Sequence, residues 1–355
     1  MERNVADQVS AVVIGAGQAG LAAGFHLRRA GVDFVILDAQ TEPGGAWTRG
    51  WDSLRLFSPA RHSSLPGRPM PPFRADDGYP TAGHVVDYLA DYEKRYDLPI
   101  IRPARVREVR PDGERLRVVS DAGEWSARFV LSATGTWWRP FIPAVPGTFG
   151  GRQSHTAGYR GPAEFAGARV VVVGGGNSGA QIAADLAASA EVLWATRRAP
   201  RYLPDHIDGR ALFDVATRRK QALDKGEADD AGVAGLGDIV AVPPVRQARD
   251  RGLLVARPMF ARLDDTGPVW ADGTREAVDA IIWCTGFRPA LSHLTPLRLR
   301  TENGHIATVG TRAVDEPRLH LLGYGDWTGP ASATLIGVGP TARAAAREVA
   351  DSLGS

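Results

Sequence analysis

The chain is poor in the residues that several common chemistries require. A single cysteine, Cys284, stands among 355 residues. One thiol excludes an internal disulfide framework, a two-cysteine redox motif and a cysteine-built metal cluster, so no metal site is expected. No apolar run approaches the ~20 residues that cross a bilayer. Met1 to Gln8 are polar and lack the apolar stretch of a secretory leader, which makes a cytoplasmic protein the expectation. Charge of one sign is scarce as well: 42 Lys and Arg stand against 40 Asp and Glu, a net +2. The basic residues are spread rather than gathered into the stripe that nucleic-acid binding needs, so neither nucleic acid nor membrane is expected as a partner. What remains, 44% apolar and 23% charged residues, is the balance of a folded protein long enough for about two domains of ~150 residues.

Glycine is plentiful, and its placement is periodic. Val9 to Ile14 form an apolar run that enters Gly15-Ala16-Gly17-Gln18-Ala19-Gly20 and then an alanine-rich helical stretch. The same order returns at Arg169 to Val173, Gly174-Gly175-Gly176-Asn177-Ser178-Gly179 and Ala180 to Leu186. One G-x-G-x-x-G is weak evidence; two, each between a strand and a helix, are strong. Each copy is followed by a second apolar strand, then a meander broken by Asp-Gly-type turns, then a strand running into Thr-Gly: Thr134-Gly135 in the first half, Thr285-Gly286 in the second. Leu319 to Asp326 adds one further strand, and a terminal helix is expected over about Thr341 to Leu353. The pattern predicts an α/β fold of two dinucleotide-binding, Rossmann-like domains, the second inserted into the first. The expected parts are 1–150 for the first domain, 151–290 for the second with an insert at 201–259, and 291–355 for the return to the first. Crossovers near Gly147–Phe165 and Phe287–Pro296 are the expected hinge.

The two copies differ electrostatically where their second strands end. Glycines let a pyrophosphate approach the N–H groups of the following helix. Asp38, closing the first second-strand, accepts ribose hydroxyls and repels a 2′-phosphate. Thr196, Arg197 and Arg198, closing the other, suit a 2′-phosphate through charge-assisted bonds, a reading preferred to the alternative that the two arginines merely solvate a loop. This assigns NADPH to Gly174, Gly176, Asn177, Ser178, Gly179, Thr196, Arg197, Arg198, Thr285 and Gly286. Two dinucleotide sites imply electron passage between two cofactors, and FAD is the natural occupant of the first. Its site is read as Gly15, Gly17, Gln18, Ala19, Gly20, Asp38, Val106, Thr134, Gly135, Gly325 and Asp326, to which the family resemblance given below adds Gly45 and Trp47. Asp326 has a second reading as a plain helix cap.

Phe149 to Arg160 fits F-x-G-x-x-x-H-x-x-x-Y-[KR], with His155, Tyr159 and Arg160 at the fixed positions. This fingerprint resembles that of the flavin-containing and N-hydroxylating monooxygenases, class B flavoprotein monooxygenases. Ala133-Thr134-Gly135, Cys284-Thr285-Gly286 and Gly44-Gly45-Ala46-Trp47 resemble further motifs of that family, and the likeness runs from Val9 to Ala350. Trp51 to Ala60, Ser63 to Gly67 and Gly325 to Gly337 are most similar to the flavin-dependent monooxygenases of bacterial arsenic-resistance clusters. Two departures stand out. Baeyer–Villiger relatives carry Trp-Pro where this chain has Tyr159-Arg160. Ser58-Pro59-Ala60-Arg61 stand where oxygenating relatives place an asparagine.

The resemblance implies a cycle in which NADPH gives hydride to flavin N5 and oxygen then forms a C4a-hydroperoxyflavin that oxygenates a small soft nucleophile: sulfur, nitrogen or an arsenic species. No side chain acts as nucleophile in such a cycle; Ser58 and Arg61 are candidates near the flavin. The partners are molecular oxygen and a small substrate, with a homodimer as the expected assembly. Two other functions are compatible with the same motifs: an NADPH oxidase or reductase that releases hydrogen peroxide, and a non-catalytic flavin-bearing NADPH sensor. Trp47 to Pro80, rich in Trp, Phe and Pro, reads as a cover over the flavin ring or as a structural loop, and 201–259 as a lid or a solvated decoration. His155 is read as a hinge lock in preference to a general base, and Cys284 as a packing residue.

Overall fold

The computed structural model describes residues 7–73, 78–205, 239–302 and 304–354. Two parallel sheets organise it. The first is built on β1 (Asp7–Ile14), flanked on one side by β2 (Phe34–Leu37) and β3 (Ile100–Ile101). On the other side lie β6 (Gly123–Ser132) and β18 (Leu319–Leu321), all parallel. Ala11 to Ile14 and the whole of β2 are buried, as unbroken apolar runs must be when helices cover both faces of a parallel sheet. β4 (Val106–Asp112) and β5 (Arg115–Ser120) form the expected meander, whose third strand is β6 itself.

The second sheet has the order β10 (Ala256–Pro258), β9 (Glu191–Thr196), β8 (Arg169–Val173), β13 (Ala280–Trp283), β7 (Arg152–His155), again parallel throughout. All its strands lie in sequence between β6 and β18, so the second α/β unit interrupts the first. The meander expected in this half is reduced to a ribbon of β11 (Arg262–Asp264) and β12 (Gly267–Val269) separate from the main sheet. β14 (Thr301–Glu302), β15 (His305–Ile306), β16 (Thr308–Val309) and β17 (Arg312–Ala313) form short antiparallel pairs, the last two extending the first sheet beyond β18.

Small residues let helices approach closely. α1 (Gln18–Arg29) buries Ala19, Leu21, Ala22, Ala23 and Leu27. The terminal helix, longer than expected at Val338–Gly354, buries Ala342, Ala345, Ala346 and Val349 in the same core. α2 (Ala82–Arg95) starts on Thr81, whose hydroxyl caps the His84 N–H, and sets Tyr88, Leu89 and Tyr92 into that core. In the second unit α3 (Asn177–Leu186) covers β8 and β9 beside α4 (Pro243–Asp250). The terminal helix is α5 below.

The joint between the units lies earlier than expected on the outgoing side. Phe141 N–H donates to Gly286 O (3.0 Å), Arg288 N–H to Arg139 O (2.7 Å) and Ala290 N–H to Gly135 O (2.9 Å), so residues 135–141 and 286–290 run antiparallel as a two-stranded hinge. The crossing cannot sit at 147–165, because Arg152–His155 is already a strand of the second sheet, paired to β13.

Two further expectations are corrected. Trp51, Leu54, Phe57 and Tyr79 do not simply cover the first site: they join the core of the second unit, with Trp51 only 2% exposed and edge-on to Tyr159 at 5.7 Å. The Gln181 side chain of α3 accepts from Arg55 N–H (3.1 Å) and donates to Arg55 O (3.2 Å), a two-way amide bond between the units. Within 201–259, residues 206–238 lie outside the described residues, but 239–258 are no solvated decoration. Ile239 to Val242 are buried in the second core and Ala256–Pro258 is an edge strand of its sheet.

Candidate active site

A cleft of about 510 Å³ opens at the carboxyl ends of β1, β2 and β6, the edge where parallel α/β sheets take ligands. Gly15, Gly17, Gln18, Ala19, Asp38, Gly45, Trp47, Val106, Thr134 and Gly135 all line it. Gly17 precedes α1 and offers no capping side chain, and the first turn carries no acid, which leaves the orphan N–H groups of the helix for an anion. Gln18 is spent on structure: it accepts from Trp47 Nε1 (3.0 Å) and donates to Ala333 O (2.7 Å), tying the Gly44-Gly45 loop to the segment before α5.

Other residues assigned from the sequence lie outside the cleft lining. Gly20 sits under the turn, where a Cβ would stand 1.8 Å from Gly15 O, so its absence of a side chain serves helix-to-strand packing. Asp326 accepts the Ala331 N–H (3.1 Å) and begins a short 3-10 turn, Asp326–Thr328, rather than a helix. The glycine of that strand end that does face the cleft is Gly323. Ser58 is buried. Arg61 is exposed and donates to the neighbouring His62 ring (3.0 Å).

Asp38 is buried and held by an ion pair. Arg102 Nε donates to its Oδ2 (2.9 Å), while both Nη groups of Arg102 bind Glu93 in bidentate fashion (3.0 and 3.1 Å). The other oxygen, Oδ1, has only a long contact of 3.4 Å from Gln40 N–H. Among the described residues it has no shorter partner.

Beneath Thr134 runs a hydrogen-bond chain whose polarity one carbonyl sets. Thr134 Oγ1 donates to Ala290 O (2.7 Å), so it must accept from the Tyr324 hydroxyl (2.8 Å). Tyr324 in turn accepts from Ser132 Oγ (2.7 Å), and Ser132 accepts from His293 Nε2 (3.0 Å). His293 is therefore the neutral Nε2–H tautomer. The chain ties both hinge strands, through Thr134 and Ala290, to a histidine in the cleft wall. Burial pushes His293 down from 6.5 to about 4, and buried His320, bonded to Thr311 (3.0 Å), likewise to about 4. Both rings stay neutral when folded but take a proton below 6.5 when unfolded. Their contribution to stability is thus present above pH 6.5 and lost as pH falls toward about 4, at most about 3 kcal/mol per ring. Thermal midpoints followed across that window should decline; a flat profile would contradict the burial of neutral rings.

The second glycine turn repeats the geometry of the first. A Cβ on Gly179 would stand 2.1 Å from Gly174 O, the counterpart of Gly20 on Gly15. α3 begins after Gly176, again without a side-chain cap or an acid in its first turn. Asn177 accepts the Val240 N–H (2.9 Å), Ser178 opens the helix beside it, and Thr196 is buried at the end of β9. Arg197 and Arg198 follow, exposed and, among the described residues, in no ion pair. Thr285 donates its hydroxyl to Phe141 O across the hinge (2.5 Å). Gly286 O accepts from His155 Nε2 (2.9 Å), while His155 Nδ1 accepts the Ala157 N–H (3.1 Å), which makes His155 a neutral lock on the hinge. Phe287 packs edge-on to His155 and stacks on Trp137 (4.9 Å).

Tyr159 donates to Asp185 (2.7 Å), and burial holds its hydroxyl well above the ordinary range. The Cys284 thiol is pushed up to about 12 by burial, which makes it a packing group rather than a nucleophile. Sequence reasoning missed Arg102, Glu93, Ser132, His293 and Tyr324. Only Tyr324, between two glycines next to the quoted Gly325-Asp326, carried a local signal.

The residues present suit two dinucleotides: a cleft with glycines at the start of a helix, and a second bare helix N-terminus beside two exposed arginines that are in no ion pair among the described residues. Comparison with known proteins agrees. Residues 12–224 match the model of the pyridine nucleotide-disulphide oxidoreductases. A doubly substituted flavin monooxygenase from Stenotrophomonas maltophilia is 52% identical, with a TM-score of 0.90 over 98% of this chain and 99% of that one. An uncharacterized CzcO-like oxidoreductase of Geobacillus kaustophilus is 31% identical over 284 residues, 79% of this chain and 80% of the relative. A probable indole-3-pyruvate monooxygenase of Arabidopsis thaliana is 32% identical over 216 residues, 58% of this chain and 51% of the relative. Among the described residues no helix is long and apolar enough to cross a membrane. The chain belongs to the pyridine nucleotide-disulphide oxidoreductase family, as an oxidoreductase of the NADPH-dependent flavin monooxygenase type whose cofactors are FAD and NADPH.

Proposed function

We propose that this enzyme transfers one atom of molecular oxygen to a small soft nucleophile, a sulfur, nitrogen or arsenic centre, at the expense of NADPH. The observation that carries the reading is the pairing of two bare helix N-termini with opposite charge: buried Asp38 beside the first, exposed Arg197 and Arg198 beside the second. A single, partly buried cysteine removes the disulfide chemistry for which the family is named.

When bound, FAD supplies the hydride acceptor and the centre that reacts with oxygen, and NADPH supplies the hydride. The chain's own residues bind and orient. The first turn of α1, with Gly15 and Gly17, would hold the FAD pyrophosphate, Asp38 the ribose, and Val106 the adenine end. Gln18, Trp47 and Gly45 would brace the flavin side. The first turn of α3 would take the NADPH pyrophosphate, and Thr196, Arg197 and Arg198 its 2′-phosphate. The hinge, locked by His155 and Thr285, and the Gln181–Arg55 bond keep the two units in one relation, as hydride transfer requires. We place the unit boundaries within this hinge, at residues 135–141 on the way out and 286–290 on the return.

The test is coupling. With a sulfide, amine or trivalent arsenical supplied in excess, oxygenated product should accumulate in step with NADPH consumed. Hydrogen peroxide equal to the NADPH consumed, with every substrate class tried, would mark an oxidase instead. A flavin that NADPH cannot reduce would mark a sensor.

A further inference from the structure

The charge that faces the first cleft is not Asp38's alone. Arg102 bonds Asp38 through Nε, and this cation would by itself cancel the acid meant to refuse a 2′-phosphate. Arg105 lines the cleft as well and adds a second cation at that end. With Asp38, Arg102 and Arg105 alone, the ribose end would be net positive and would attract phosphate.

Glu93 cancels this excess, bringing the four charges to zero and leaving Asp38 as the charge nearest the ligand. It lies on α2, outside the cleft lining, its side chain 12% exposed, and grips both Nη groups of Arg102 at 3.0 and 3.1 Å. The guanidinium is divided: one edge orients Asp38, and the other is occupied by an acid that never meets the ligand. Asp38 is thereby held in place without losing its electrostatic effect.

We propose that Glu93 is a specificity-determining residue that acts through Arg102, cancelling its charge so that the first cleft takes a dinucleotide without a 2′-phosphate and refuses one that carries it. Selection of this kind works by repelling the wrong ligand rather than gripping the right one more tightly. It rests on the reading of this cleft as the FAD site. It also explains how one chain keeps two dinucleotides apart, since the second site presents exposed arginines, in no ion pair among the described residues, where the first presents a compensated one.

The experiment uses the full chain freed of flavin, with ADP and 2′,5′-ADP as probes. Competition with FAD, followed by flavin fluorescence, confines the readout to the first site. The unmodified chain should prefer ADP about tenfold or more, and Glu93→Gln should narrow this to about threefold or less, with ADP itself little changed. The double variant Arg102→Gln with Glu93→Gln removes the cation and its counter-acid together, leaves Asp38 charged, and should restore the preference. A purely structural role would weaken both probes alike and make the double variant worse. An unchanged preference in Glu93→Gln, or no recovery in the double variant, overturns the proposal. Failure of ADP to compete with FAD in the unmodified chain overturns the reading of the cleft itself.

Discussion

Gly20→Ala should yield protein that purifies without flavin, whereas Gly179→Ala should keep its flavin and lose reduction by NADPH. In both turns the third glycine of the motif lies against the carbonyl of the first, with a Cβ placed at 1.8 Å in one case and 2.1 Å in the other. These are backbone atoms and cannot rotate away, so the helix must separate from the turn that it serves. A displaced helix no longer aims its N–H groups at the pyrophosphate, and more than ~100-fold in affinity, about 3 kcal/mol, should be lost at that site alone. Gly17→Ala makes the contrast: its Cβ would meet no protein atom within 4 Å, so the chain should fold as before yet hold FAD poorly, because the methyl group enters the cleft. The measurements are flavin-to-protein ratio after purification and the bleaching of flavin absorption by NADPH. Full flavin content in Gly20→Ala would contradict the packing argument.

Arg197→Ala and Arg198→Ala should each raise the KM for NADPH roughly 10–100-fold, the loss of about 1–3 kcal/mol of charge-assisted bonding. NADH should be used as before, since it lacks the phosphate. Both arginines are exposed, so added salt should erode the NADPH preference of the unmodified enzyme, and the variants should show less of that salt dependence. Equal use of NADH and NADPH by the unmodified chain would remove the basis for the assignment.

Much of this architecture is visible in the order of residues. Two unbroken apolar runs, each ending in a glycine turn, can only be buried parallel strands feeding helices, and the structure forms β1 and β8 there. Asp38 and the Arg197-Arg198 pair could be found because they occupy a fixed offset from those turns. The hinge was displaced for a reason that local patterning does not carry: Arg152–His155 alternates poorly, yet becomes a strand because β13 offers it an open edge. Thr285 illustrates the same limit. Its place beside Gly286 suggests a cofactor, and nothing local announces that its hydroxyl also bonds Phe141 O on the opposing strand.

Residues that act through others were the least legible. Glu93, Arg102 and Asp38 lie on three different parts of the chain, and Arg102 links the two acids only in the folded protein. Ser132, His293 and Tyr324 come from three distant parts of the chain, and their chain of hydrogen bonds exists only once β6 and β18 are paired. Spacing along a sequence reveals groups that face a ligand from one turn. It does not reveal a network assembled by the return of the first unit after the second has been inserted.

The central claim, that two dinucleotides of different phosphate content sit at opposed sites so that hydride passes from one to the other, is tested most directly by anaerobic reduction of the FAD-loaded enzyme. On mixing with NADPH the oxidised flavin absorption should bleach rapidly and completely, and with NADH at the same concentration at least about tenfold more slowly. A flavin band that NADPH leaves untouched, or that both nucleotides bleach at one rate, would contradict it.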